Sequence, residues 1–111
     1  MNPFEAAMRN SGDTVVVDMS GLLDRSADQV LGDTFGRALA SGAETIVLNF
    51  TAVEYINSTG IALVVASLAR ARAVGRDVRA YGLTEHYREI FTITRLADFM
   101  GIYDDESAAV A

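Results

Sequence analysis

The hydroxyls of Ser58 and Thr59, in the run Asn57-Ser58-Thr59-Gly60, are the side chains best placed to do chemistry in this sequence. They fall between an apolar strand pattern, Ile46 to Phe50 with its continuation Val53 to Ile56, and an apolar helix pattern that begins near Ile61. A Ser or Thr just ahead of such a helix predicts an N-cap, because its oxygen accepts a backbone N–H that the helix leaves unpaired. A strand that ends in this turn also sets the hydroxyl at the carboxyl edge of a sheet, where open α/β folds gather their functional groups. Two uses therefore compete for Ser58: a structural cap, or a hydroxyl offered to a partner.

Nucleophilic catalysis by Ser58 needs a base and an oxyanion hole. The run is not the Gly-x-Ser-x-Gly of a nucleophile elbow, and His86 is the sole imidazole. His86 lies among Thr84, Glu85, Tyr87 and Arg88 on a predicted helix, and reads as a solvent-facing residue rather than a zinc ligand. There is no phosphate-binding loop, no dinucleotide fingerprint and no acidic cluster with the spacing of a calcium site. With no cysteine there is no disulfide frame and no thiolate metal site. No catalytic residue, cofactor or metal ion is expected.

The formal net charge is −6, and all nine basic residues are arginines. That balance argues against nucleic acid or an anionic membrane as the main partner, since both call for basic patches. No apolar run reaches spanning length, and Met1 to Glu5 lacks the basic start and apolar centre of a signal peptide. The expectation is a soluble, cytoplasmic protein without membrane insertion. Its 111 residues predict a single domain, 1–111, able to bury a core without staples.

The elements that must position Ser58 follow from periodicity. Phe4 to Arg9 is a weak strand candidate, Asn10 to Asp13 a turn, and Thr14 to Met19 a β-branched strand that leaves the sheet at Gly21. Ser26 and Gln29 have capping-box spacing ahead of a helix that carries Leu31, Phe35 and Ala38. Within it, Gly32 and Gly36 are expected to pack closely on the sheet. Thr45 to Phe50 reads as a central parallel strand covered on both faces. The helix after the polar turn is predicted over Thr59 to Val74, with Ile61, Val64, Val65, Leu68 and Ala71 on one face. Its first turn is apolar nearly all round, so it is either wholly buried or leaves a docking patch beside Ser58.

Asp77 to Tyr81 reads as a further strand, and Thr84 as the cap of a third helix with Tyr87, Ile90, Phe91 and Thr94 inward. Leu96, Phe99, Ile102 and Tyr103 carry the apolar content past Gly101, and Asp104-Asp105-Glu106 suits the start of a short last helix. The alternation predicts an α/β sandwich: a mixed sheet of four to five strands with helices packed on it.

Gly21-Leu22-Leu23-Asp24, Ile46 to Phe50, Asn57-Ser58-Thr59-Gly60-Ile61 and Arg72-Ala73-Val74-Gly75-Arg76, in this order and spacing, resemble the STAS domain of bacterial anti-sigma factor antagonists. The resemblance covers nearly the whole chain. It implies a partner-switching role: such proteins bind a GHKL-type anti-sigma factor serine kinase, which supplies ATP and Mg²⁺, and phosphorylation of the motif serine ends binding until a serine phosphatase restores it. The serine corresponds to Ser58. Gly21 and Asp24 match the family's Gly-x-Leu-Asp stretch, so the implied partner-binding residues are Gly21, Asp24, Asn57, Ser58, Thr59, Gly60 and Ile61. The resemblance makes the chain a substrate and binding partner rather than an enzyme, and its small size suggests a monomer when free. The family carries Asp where this chain has Asn57, which keeps the hydrogen bonding and loses the charge. The same fold also serves non-switching modules, as scaffolds in signalling complexes or soluble subunits of membrane transport systems.

Overall fold

The computed structural model describes residues 1–111. In chain order the elements are β1 (Glu5–Ser11), β2 (Thr14–Leu23), α1 (Asp28–Ala40), β3 (Thr45–Ile56), α2 (Ser58–Ala73), β4 (Asp77–Tyr81), α3 (Glu85–Ile93), β5 (Gly101–Tyr103) and α4 (Glu106–Val110). Short 3₁₀ turns at Arg25–Ala27 and Leu96–Asp98 precede α1 and β5. The five strands form one sheet in the order β1-β2-β3-β4-β5. β1 runs antiparallel to β2, and every other pair is parallel.

That order explains where the helices lie. Each parallel step advances one strand in the same direction, and crossovers of one hand then stack α1, α2 and α3 on one face of the sheet. The strands present alternate residues to that face: Val15, Val17 and Met19 from β2, Ile46, Leu48 and Phe50 from β3, Val78 and Ala80 from β4. Leu31, Phe35 and Ala38 of α1, Val64, Leu68 and Ala71 of α2, and Phe91 of α3 close the same core. Phe91 meets Phe50 edge to face, with ring centroids 5.7 Å apart.

The intervening residues Val16, Val47 and Tyr81 face the other way and are covered by Ala109 of α4. This second layer is thin, and a polar lattice completes it. Arg9 of β1 is held by Asp18 of β2 (Nε–Oδ2 2.5 Å) and by Glu106 of α4 (Nη2–Oε1 2.6 Å). Asn49 donates to Asp18 at 2.8 Å, and the Tyr81 hydroxyl donates to Glu106 at 2.7 Å. A central strand covered on both faces is thus realised, but with a short helix and an ion-pair lattice as the second cover.

Four local expectations are corrected. β2 does not leave the sheet at Gly21 but runs to Leu23; Gly21, at φ +82°, sits at a register shift against β3 that keeps the strand paired. Ser26 does not cap α1. Asp24 caps the preceding 3₁₀ turn, accepting from Ser26 N at 2.9 Å and Ser26 Oγ at 2.6 Å, and α1 then starts at Asp28 without a side-chain cap. Gly32 and Gly36 do not approach the sheet: a Cβ at Gly32 meets nothing within 4 Å, whereas one at Gly36 would lie 2.9 Å from Arg70 Nη2 of α2. Thr94 is exposed rather than inward, its hydroxyl donating to Ile90 O at 2.7 Å. The C-terminal expectations stand: Thr84 caps α3, accepting from Tyr87 N at 3.3 Å, and Asp105 caps α4, accepting from Ala108 N at 2.9 Å.

Candidate functional site

The polar turn joins the end of β3 to the start of α2. Asn57 has extended backbone (φ −100°, ψ −176°), and its Oδ1 accepts from Gly60 N at 2.9 Å. Its carbonyl accepts the first helical bond, from Ile61 N at 2.9 Å. Asn57 is therefore the N-cap, and Ser58 is the first residue of the helix. The expectation of a hydroxyl cap is overturned by one position. The physical reason is that Asn and Ser are nearly equivalent caps, and the residue with extended backbone takes the role. Ser58 and Thr59 are exposed, and the Ser58 hydroxyl makes no hydrogen bond within the protein.

Gly60 fixes where this helix end lies. A Cβ there would come 1.9 Å from the carbonyl oxygen of Leu23, a contact no side chain tolerates. The same Leu23 carbonyl accepts from Asn57 N at 3.3 Å. The last residue of β2 is thereby held against the first turn of α2, and Asp24, next in the chain, enters its own turn alongside. Helix α3 props the site from the other side: the Tyr87 hydroxyl accepts from Ile56 N at 3.0 Å, one residue ahead of the cap. Tyr87 was expected only as an inward-facing residue; its sequence position carried no sign of this bond.

The seven expected partner-binding residues differ in exposure. Ser58 and Thr59 are exposed, Asn57, Asp24 and Ile61 are partly buried, and Gly60 and Gly21 are buried. A Cβ on Gly21 would lie 2.2 Å from Pro3 O, and Leu22 N donates to Asn2 O at 3.0 Å, so Gly21 anchors the N-terminal segment. Beside Ser58 and Thr59, Ala62 is exposed, and Tyr55 and Val65 are 45% and 47% exposed. The first turns of α2 thus leave apolar surface next to a free hydroxyl.

Chemically, the arrangement suits an acceptor. The positive end of α2 faces Ser58, and backbone N–H groups at a helix start stabilise added negative charge. His86 is exposed and stacks edge-on against Tyr87 with centroids 5.1 Å apart; no hydrogen bond links it to Ser58. No group of three or more His, Asp or Glu gathers as a metal site, and no helix is long and apolar enough to cross a membrane.

The family model described as "Mlab, STAS domain" matches residues 6–102. Among solved structures, a putative anti-sigma factor antagonist from Thermotoga maritima aligns over 95% of this chain and 91% of its own, at 21% identity and TM-score 0.83. An anti-sigma factor antagonist from Mycobacterium paratuberculosis aligns over 96% and 91%, at 22% identity and TM-score 0.78. The Bacillus cell fate determinant SpoIIAA in its phosphorylated form aligns over 93% and 95%, at 25% identity and TM-score 0.70. No curated protein sequence matches. With a family model spanning nearly the whole chain and the five-stranded mixed sheet of these structures beneath it, the chain belongs to the STAS domain family and shares the fold of anti-sigma factor antagonists.

Proposed function

We propose that the chain is an anti-sigma factor antagonist that binds a GHKL-type serine kinase through the start of α2 and is released when that kinase phosphorylates Ser58. One observation carries the reading: Asn57 performs the capping, so the Ser58 hydroxyl is exposed and uncommitted at the positive end of a helix. A phosphate there adds nearly two negative charges and three acceptor oxygens. The helix end accommodates that charge locally, so the fold holds. A partner seated over Ser58, Thr59, Ala62 and Val65 instead meets a dianion inside a close-fitting surface, at a cost of several kcal/mol, roughly two to three decades of affinity. The chain is then substrate and binding partner, not enzyme; the kinase holds ATP and Mg²⁺, and a phosphatase resets the switch.

The test is incubation with the cognate kinase and Mg²⁺-ATP. The expected result is a single phosphate mapped to Ser58, absent in Ser58→Ala, with Ser58→Asp folded and bound at least about a hundredfold more weakly. A gain of phosphate unaffected by Ser58→Ala, or full affinity in Ser58→Asp, sinks the reading.

A second reading is favoured by the description of the matching family model, "Mlab, STAS domain", together with the neutral Asn57 where antagonists carry Asp. In it the same α2 face docks constitutively, as a scaffold component or a subunit of a membrane transport system. A pull-down from native lysate with Mg²⁺-ATP separates the two. A GHKL-type ATPase with modified Ser58 supports the switch; transporter subunits with unmodified Ser58 support the constitutive module.

A further inference from the structure

The second half of α2 carries a feature that meets the surface beside Ser58 only at Val65. Val65, Leu68, Ala69, Val78, Leu96 and Phe99 enclose a half-open groove of about 410 Å³. This lies within the range of roughly 300–1,000 Å³ typical of small-molecule sites. Phe99 is 57% exposed, so its ring forms an apolar wall facing water.

Arg72 and Arg76 border the groove. The Arg72 guanidinium lies 5.0 Å from the centre of the Phe99 ring and forms no ion pair. Arg76 Nη1 donates to Gly42 O at a long 3.3 Å, while its Nε is buried without any acceptor, the one side-chain polar atom in the protein in that condition. The two acids in the same lining are neutralised from outside it, Asp77 by Arg79 at 2.9 Å and Asp98 by Arg95 at 2.6 Å. A chain of net charge −6 thus keeps two guanidiniums without counter-ions beside an apolar floor. Arginine near a helix C-terminus also offsets the dipole. That accounts for a charge at this end, but not for a groove or for an orphaned buried donor, which is costly to leave unpaired.

We propose that this groove binds a small amphiphilic carboxylate, its apolar body on Leu68, Val78 and Leu96 and its head received by Arg72 and Arg76. The guanidinium of Arg76 turns from its long bond to Gly42 and gives Nε the acceptor it lacks. Arg72 lies fourteen positions beyond Ser58 on α2, roughly 20 Å at 1.5 Å per residue, so the charged end of this site stands apart from the phosphorylation reading, Val65 alone being common to both.

The experiment is an NMR titration of the whole ¹⁵N-labelled chain with decanoate, with decanol and decyltrimethylammonium as neutral and cationic probes of the same tail. Decanoate shifts the amides of Val65, Ala69, Arg76 and Phe99 saturably; decanol binds about tenfold more weakly, and the cation weaker still. Arg72→Gln alone weakens decanoate by about tenfold, and Ala69→Phe, an exposed helix position that tolerates the change, fills the groove and abolishes binding with both arginines intact. Absence of saturable shifts at the groove, equal response to decanol, or decanoate affinity unchanged in Arg72→Gln overturns the proposal. Amide dispersion in each spectrum reports that the variant is folded.

Discussion

Asn57 separates two roles that adjacent side chains could each have filled. Its carboxamide holds Gly60 N while the neighbouring hydroxyl stays free, so capping does not occupy the hydroxyl that the proposed phosphorylation would use. Asn57→Ala is expected to lower stability by about 1 kcal/mol, the usual cost of losing a side-chain cap. Asn57→Asp keeps the cap and adds favourable charge at the helix start, raising stability by about 0.3–1 kcal/mol. Urea unfolding of the two variants checks both signs. If the family's Asp serves as a cap, Asn57→Asp leaves the rate of Ser58 phosphorylation unchanged; a large rise would assign that charge to kinase recognition. Gly60 is constrained more tightly. Gly60→Ala drives a methyl against the Leu23 carbonyl and is expected to cost about 3 kcal/mol or more, seen as an earlier urea midpoint.

At the scale of elements, the site depends on three pieces meeting: the end of β2, the start of α2, and α3. Tyr87 supplies the last link, its hydroxyl receiving Ile56 N at the buried end of β3. Tyr87→Phe leaves that N–H unpaired, so a loss of about 1–2 kcal/mol is expected, with faster hydrogen exchange at Ile56 as the local readout. The alternation of strands and helices was legible in the sequence because each long element keeps its own period over ten or more residues. What was not legible has specific causes. Asn57 and Ser58 rank alike as caps, so spacing alone could not choose between them. β5 has three residues, too few for any period to show, and it follows the left-handed Arg95 (φ 68°), a position no propensity rule assigns to arginine. The Ser26–Gln29 box matched its pattern, yet Asp24 took the bond because the chain turns two residues earlier. Ser58 itself was legible as a candidate acceptor; the supports from Leu23 and Tyr87 were not, being tertiary contacts between elements distant in sequence.

Across the whole molecule, the thin face of the sheet is where stability should depend on pH. Arg9 hydrogen-bonds Asp18 and Glu106, and these bonds hold both carboxyls below their ordinary range, while Arg9 itself is shifted upward. A carboxylate with a depressed folded-state pKa contributes stability that is fully present above its unfolded value and is lost as pH falls through the folded one. The unfolded values lie near 4, so the loss begins at about pH 4 and deepens below it. Tyr81 acts at the other extreme. Burial, reinforced by its bond to Glu106, raises the phenol to about 12 against an unfolded value of 10.0. Its contribution is therefore present below pH 10 and is lost as pH rises from there toward 12. Stability should form a plateau from about pH 5 to 9 with a fall on either side. Urea midpoints at pH 3, 7 and 11 test the shape, and Tyr81→Phe should remove part of the alkaline fall and, because its hydroxyl helps to hold Glu106 low after Arg9, lessen the acid one as well. Because Glu106 joins both Arg9 and Tyr81, each limb loosens α4 first. Hydrogen exchange at Ala109, whose amide donates to Asp105 O, should therefore quicken before that of the α2 amides at both extremes; simultaneous exchange would mean that the lattice stabilises the sheet as a whole and not its cover.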